Sequence, residues 1–364
     1  MKKRILGAFV MMALSVASMS AAGKHVPANH PDVSFTGRVQ RLADGGVRYD
    51  WTGVYMQTEF TGGKISAVVS DEGTSYHNVF IDGKWVKKIK VSGAQAQTVC
   101  LADKLSKGKH TLRLQKCTEG QYGCTTVKEI IVDKSAELHA VRPKSRFIEV
   151  IGDSYTCGYG TESDKADDPF ELETENCNLA YGCIVARYFD ADYALVAHSG
   201  QGIIRHWADS VQVSANSMPK RWKHVFDEHG DVAYDYKSYT PQLVLINLGT
   251  NDFSPTAIPT VEQYVGAYVE LIKDVKSRYG EDVPVLCITP HSANAYLKAA
   301  LAQLRDETLL LNKVYMANSL DRTVEGTTDL GASWHPNYRG QCKIAMSLIP
   351  QISTLMGWTI TPNL

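Results

Sequence analysis

Three short segments of this 364-residue chain hold residue types that can carry out acyl transfer. In residues 149–160, EVIGDSYTCGYG, an apolar run (Phe147, Ile148, Val150, Ile151) ends in Gly152-Asp153-Ser154, with Gly158 and Gly160 close behind. A serine hydroxyl becomes a useful nucleophile only when it is exposed, beside a base and near N–H groups that can receive a developing oxyanion. Glycines at such a turn permit the close backbone approach this needs. Residues 241–252, PQLVLINLGTND, form a second apolar run with a polar tip, Gly249-Thr250-Asn251-Asp252. Residues 331–337, GASWHPN, place His335 just before what reads as the last helix.

These segments need elements to present them. From Arg146 onward, apolar strand-length runs (147–151, 193–197, 243–248, 283–289 and 309–316) alternate with amphipathic stretches of helix length at 179–190, 260–279, 294–306 and 337–356. Gly280 is placed to stop the second of these helices. Alternating β and α predicts a doubly wound parallel sheet with its site at the carboxyl ends of the strands. Residues 33–132 have a different texture, with short half-polar strands and turn signals every ten or so residues. The clearest is a hairpin from Val79-Phe80-Ile81 through Asp82-Gly83 into Trp85-Val86. Many such strands without helices predict an all-β sandwich of jelly-roll type. The boundary falls in the charged, proline-containing stretch 133–146, giving a β-sandwich at 23–140 and an α/β domain at 141–364.

Bulk properties narrow the function classes. Formal net charge is −1, and no basic cluster favours nucleic acid. Lys2, Lys3 and Arg4 precede an apolar stretch from Ile5 to Val16 and then Ser20-Ala21-Ala22, which reads as a secretory signal peptide, residues 1–22. The expected location is therefore secreted or periplasmic. That apolar stretch is short for a membrane span, and no later one reads as such. Eight cysteines would then meet an oxidising compartment, where Cys117 with Cys124, or Cys177 with Cys183, could bridge; Cys287 reads as a buried thiol. No His/Cys grouping has metal-ligand spacing, so neither a metal nor a cofactor is expected.

Serine early, asparagine in the middle and His-Pro late resemble the blocks of the SGNH, or GDSL, hydrolases over roughly residues 146–358, which implies a flavodoxin-like catalytic domain. With a jelly-roll in front, the chain resembles carbohydrate esterase family 2, secreted deacetylases of plant polysaccharides. FTGRV at 35–39, NVFIDG at 78–83, GKHTLRLQK at 108–116 and HSGQG at 198–202 fit that order beside the three blocks. The resemblance implies Ser154 as nucleophile and His335 as base. It also implies an oxyanion hole made by the Ser154 N–H, the Gly200 N–H and the Asn251 side chain, with Gly202 the alternative in the same loop. Asp153 and Asp252 read as capping or loop-bracing groups, since a carboxylate beside the nucleophile would oppose the oxyanion.

Family members carry an aspartate two or three residues before the histidine; here those positions are Ser333 and Ala332. A Ser-His dyad results, with the imidazole oriented by a backbone carbonyl or the Ser333 hydroxyl, and Asp329 as a possible stand-in carboxylate. Trp334, Trp207 and Tyr155 are candidate substrate-binding rings, and the seven carboxylates of 162–175 read as a solvated loop. The expected activity is removal of acetyl groups from xylan- or mannan-type polysaccharides or oligosaccharides through a serine acetyl-enzyme. Rivals are an esterase of other acetylated glycans or of lipids, and a non-catalytic carbohydrate-binding protein.

Overall fold

The computed structural model describes residues 23–360. The leader expected at 1–22 lies outside them. Two antiparallel six-stranded sheets form the first domain. In one, Lys109–Lys116 lies between Tyr55–Thr61 and Thr74–Ile81. In the other, Thr125–Val132 lies between Val47–Tyr49 and Ile65–Asp71. Alternate residues face inward, so Val47, Tyr49, Phe60, Ile65, Leu112, Leu114, Val127 and Ile130 meet in one core with essentially no solvent exposure. The hairpin turn is where the sequence puts it: Asp82 (φ 52°) and Gly83 (φ 74°) both take the left-handed conformation that a two-residue turn of matching twist requires.

The second domain is a five-stranded parallel sheet in the order Ala191–Ala197, Arg146–Gly152, Leu243–Asn247, Val285–Cys287, Val314–Met316. Strand order reverses beside Arg146–Gly152, the first of these strands in the chain, and the crevice at that reversal is where the carboxyl ends carry Ser154, the 198–202 loop and Asn251. Along Leu243–Asn247, Leu243 and Leu245 join the core under helices Tyr181–Tyr188 and Tyr338–Met356. Val244 and Ile246 join that under Val261–Tyr279 and Ala295–Thr308. The strands expected at 283–289 and 309–316 are shorter than the apolar runs suggest. Pro284 and Pro290 flank the first, and a residue without an N–H cannot extend a central ladder; Leu309 and Leu310 are about four-fifths exposed.

The two domains are joined by buried polar contacts rather than a free linker. Asp50 of the sandwich accepts the Asp227 and Glu228 N–H groups at 2.8 and 2.9 Å. The Tyr55 hydroxyl donates to Asp192 at 2.7 Å, and Arg38 lies 3.5 Å from Glu149, both fully buried. Groups buried this way must keep their partners, which fixes one domain against the other. No described helix is long and apolar enough to cross a membrane.

Candidate active site

Ser154 opens a single helical turn, Ser154–Cys157, at the tip of Arg146–Gly152. Asp153 caps it, its carboxylate accepting the Tyr155 N–H at 3.1 Å. Gly152 has to be glycine, because a Cβ there would stand 2.0 Å from the Thr156 hydroxyl. Burial first, and the nearby Asp252 charge after it, push the Asp153 carboxyl up to about 7. The Ser154 hydroxyl lies 2.9 Å from His335 Nε2.

Opposite the serine runs the loop His198-Ser199-Gly200-Gln201-Gly202. Asp252 accepts three successive backbone N–H groups beyond it, from Ile203, Ile204 and Arg205, at 2.8 to 3.0 Å. The Gly200 carbonyl accepts the Trp207 N–H at 2.7 Å, and the Ser199 N–H donates to the Glu119 carboxylate at 2.6 Å. Gly200 itself sits at φ 82°. With the peptides on either side held, the Gly200 N–H is left without a partner among the described residues, as is the Ser154 N–H, and both residues line the cleft. Gly202 packs against the Asp252 carboxylate instead, so the geometry favours Gly200 of the two. Asn251 also faces the cleft; its amide donates to the Gln201 carbonyl at 2.8 Å and, at a long 3.3 Å, to Asp153.

His335 Nδ1 donates to the Ser333 carbonyl at 2.9 Å. That carbonyl is aimed by two consecutive left-handed residues, Ser333 (φ 53°) and Trp334 (φ 62°), a conformation unusual for a bulky side chain. The acidic loop pins this turn, the Ser333 and Trp334 N–H groups donating to the Asp168 and Ala166 carbonyls at 3.0 and 2.9 Å. Asp329 is not the missing carboxylate. It is buried against Lys343 and the Glu325 N–H, and its side chain is committed there. Burial holds His335 below its usual 6.5, the Ser333 and Ala332 carbonyls partly opposing.

Ser154, Gly200, Asn251 and His335 line one open cleft of about 550 Å³, with Trp207 and Trp334 on its rim. These two tryptophans are 57% and 63% exposed, so ring faces remain free for a ligand. Tyr155 is placed differently from expectation. Its ring is buried between His291 and His335, and its hydroxyl bonds Ser292 at 2.9 Å, which leaves it a wall behind the histidine and no platform.

Sequence reading missed several residues. Tyr159 lies against the His335 ring with centroids 4.3 Å apart, and Phe170 stacks on Tyr159 at 3.9 Å. Tyr122, from the sandwich, stacks in turn on Phe170. Gln121 of the sandwich lines the cleft. Glu175, counted among the solvated carboxylates of 162–175, is fully buried, because its side chain turns inward onto the Glu119 N–H at 3.0 Å. Behind the 198–202 loop, His198 Nδ1 bonds Asp227 at 2.7 Å, and Arg221 pairs with Asp227 and Glu228 at 2.8 and 2.7 Å. His198, Asp227 and Glu228 are close enough to hold a metal, but the Arg221 guanidinium already fills that role as cation. All eight cysteines are free, including both pairs that could bridge, although the Cys177 and Cys183 thiols lie against one another. The Cys117 and Cys124 thiols face different carbonyls, of Gln115 and Tyr49.

Serine and imidazole in hydrogen-bond contact at the switch point of a flavodoxin-like sheet, with free N–H groups across the cleft, define a serine ester hydrolase of the GDSL type. Residues 150–341 match the GDSL-like Lipase/Acylhydrolase family, and residues 35–141 match the Carbohydrate esterase 2 N-terminal family. An acetylxylan esterase / glucomannan deacetylase of Cellvibrio japonicus is 30% identical, covering 91% of this chain and 88% of that protein. The cellulase/esterase CelE of Acetivibrio thermocellus is 29% identical over 91% of this chain, which spans only 40% of CelE. Among solved structures, a family two carbohydrate esterase from Clostridium thermocellum in complex with cellohexaose superposes with a TM-score of 0.82 at 28% identity, covering 90% of this chain and 100% of that one. One from Cellvibrio japonicus gives 0.81 at 26%, covering 93% and 99%. The chain belongs to carbohydrate esterase family 2.

Proposed function

We propose that this protein is a secreted O-acetyl esterase that removes acetyl groups from plant polysaccharides or their oligosaccharides, of xylan or mannan type, through a serine acetyl-enzyme. The 2.9 Å contact between Ser154 and His335 at the floor of a tryptophan-rimmed cleft carries this reading. His335 takes the Ser154 proton as the oxygen attacks the acetyl carbonyl. The Ser154 and Gly200 N–H groups and one Asn251 amide hydrogen receive the oxyanion, the last by turning from its long contact with Asp153. The imidazolium then returns its proton to the departing sugar hydroxyl, and water repeats the cycle on the acetyl-enzyme. Trp207 and Trp334 offer ring faces to pyranose C–H groups on either side. The names of the relatives supply the substrate class, and the leader at 1–22 supplies the expectation of export.

The test compares 4-nitrophenyl acetate, butyrate and octanoate with acetylated xylan and glucomannan, on wild type and Ser154→Ala. Acetate should be favoured. Ser154→Ala should keep the fold and lose more than about a thousandfold in kcat. Equal kcat/KM on acetate and octanoate would move the protein to lipid-type esterases, and an active Ser154→Ala would end the covalent mechanism.

A further inference from the structure

The residue that fixes the oxyanion loop from below does not belong to the catalytic domain. Glu119 lies in the loop that leaves the sandwich strand Lys109–Lys116, and its Oε2 accepts the Ser199 N–H at 2.6 Å. Cys157, on the turn that begins with Ser154, directs its thiol at the same oxygen from 3.5 Å. Glu119 therefore touches both sides of the oxyanion hole, the Gly200 loop through Ser199 and the nucleophile turn through Cys157. The Glu119 side chain is fully buried, so this contact is not diluted by solvent.

Its other oxygen explains how a bare carboxylate survives there. Glu175 is buried alongside, with its Oε2 on the Glu119 N–H at 3.0 Å. Oε1 of each carboxyl is buried with no hydrogen-bond partner among the described residues, and the two carboxyls lie close enough to interact directly. Two ionised carboxylates in contact away from water would repel strongly; one proton between them removes the conflict and makes a bond. Burial, and then the Glu119 charge, hold Glu175 well above the usual carboxylate range, so the proton rests on Glu175. The remaining negative charge faces His198, whose pairing with Asp227 overcomes its burial and raises its pKa, and Lys116, whose ammonium bonds the Thr118 and Glu119 carbonyls.

We propose that Glu119 is a positioning residue for the reaction, holding the Ser199 N–H so that the next N–H, that of Gly200, faces the oxyanion, and doing so as half of an inter-domain carboxyl pair with Glu175 that shares one proton. On this view the sandwich is a working part of the catalytic machinery. The inference rests on Gly200 as an oxyanion donor, as in the function proposed above.

The test separates the brace from the charge. In Glu119→Gln the amide oxygen can still accept from Ser199 while the amide N–H donates to an ionised Glu175, so bond pattern and net charge are both kept. Glu119→Ala removes the brace. Glu119→Asp keeps the charge but withdraws the carboxyl, and serves where the alanine variant does not fold. With 4-nitrophenyl acetate, Glu119→Ala or Glu119→Asp should lower kcat about 10- to 100-fold with KM within about threefold, as expected for an interaction made in the transition state. Glu119→Gln should recover kcat to within about threefold of wild type. Unchanged kcat in both Glu119→Ala and Glu119→Asp, or a Glu119→Gln as impaired as they are, overturns the proposal. Failure of the underlying function looks different: wild type would then be inactive, or Ser154→Ala active, whatever Glu119 did.

Discussion

The two sides of the candidate site are held by opposite means. Around the oxyanion loop, buried carboxylates do the holding: Asp252 gathers three N–H groups, Glu119 takes the Ser199 N–H, and Asp227 fixes His198. Around His335 no carboxylate is hydrogen-bonded to the ring among the described residues; the Ser333 carbonyl, aimed by two left-handed residues and pinned by the 166–168 backbone, takes the Nδ1 hydrogen. The difference follows from which atoms each half must present. An oxyanion hole needs N–H groups turned outward, and anions behind the loop hold the neighbouring N–H groups inward so that Gly200 is left facing the cleft. The imidazole must take a proton and give it back, and a neutral acceptor is enough to select its tautomer while stabilising the imidazolium less than a carboxylate would.

Breaking the donor side should have the larger effect. Asn251→Ala removes an amide that faces the cleft and also ties the Leu243–Asn247 strand tip to the Gln201 carbonyl. Loss of one preorganised donor costs about 10²- to 10³-fold in kcat, and kinetics on 4-nitrophenyl acetate measure it. A loss below about fivefold would leave the Ser154 and Gly200 N–H groups as the whole oxyanion hole.

Much of this comparison could be read in the chain and some could not, for a physical reason. Ser154, Asn251 and His335 stand at ends of strongly apolar or amphipathic runs, so their elements and order are local properties of the sequence. Gly280 and the Asp82-Gly83 turn are legible for the same reason. Glu119, Glu175 and Tyr159 gave no such signal. Glu175 sits among six other carboxylates in a polar loop, and what buries it is a contact with a residue 56 positions away in the other domain. Tyr155 reads as a candidate substrate-binding ring, yet the His291 ring from a distant strand end covers it. Asp329 was an open possibility by distance along the chain and is excluded only by its pairing with Lys343.

The two tryptophans sharpen the contrast at smaller magnitude. Trp207 belongs to the donor side and Trp334 to the imidazole side, but Trp207 supports Gly200 through its backbone N–H, which an alanine retains. Trp207→Ala and Trp334→Ala should therefore both raise KM on acetylated polysaccharide, by up to about tenfold for a ring contact worth roughly 0.5–1.5 kcal/mol. On 4-nitrophenyl acetate, which has no pyranose to stack on either ring, kcat should hold. A drop in kcat on the small ester for Trp334→Ala alone would show that its bulk helps keep the left-handed turn that aims the Ser333 carbonyl.

The smallest expected effect tests the neutral side directly. The contact to His335 comes from the Ser333 carbonyl, while the Ser333 hydroxyl serves Tyr159. Ser333→Ala should thus reduce kcat by about threefold or less, the low end for a neutral hydrogen bond, against on the order of 10⁴-fold when a true triad carboxylate is neutralised. The pH profile gives the sign. His335 must be neutral to accept the serine proton, and burial disfavours its cation, so activity should persist below the ring's ordinary 6.5 and fall only as pH drops through that lowered value. Ser333→Asp, at a left-handed position that aspartate tolerates, would place an anion near the ring and favour the imidazolium. The acid limb should then move to higher pH with kcat on its plateau maintained or raised. A limb that stays in place would mean the new carboxylate does not reach His335; a fall of kcat to a hundredth would mean that the turn itself, with its carbonyl aimed at Nδ1, had been lost.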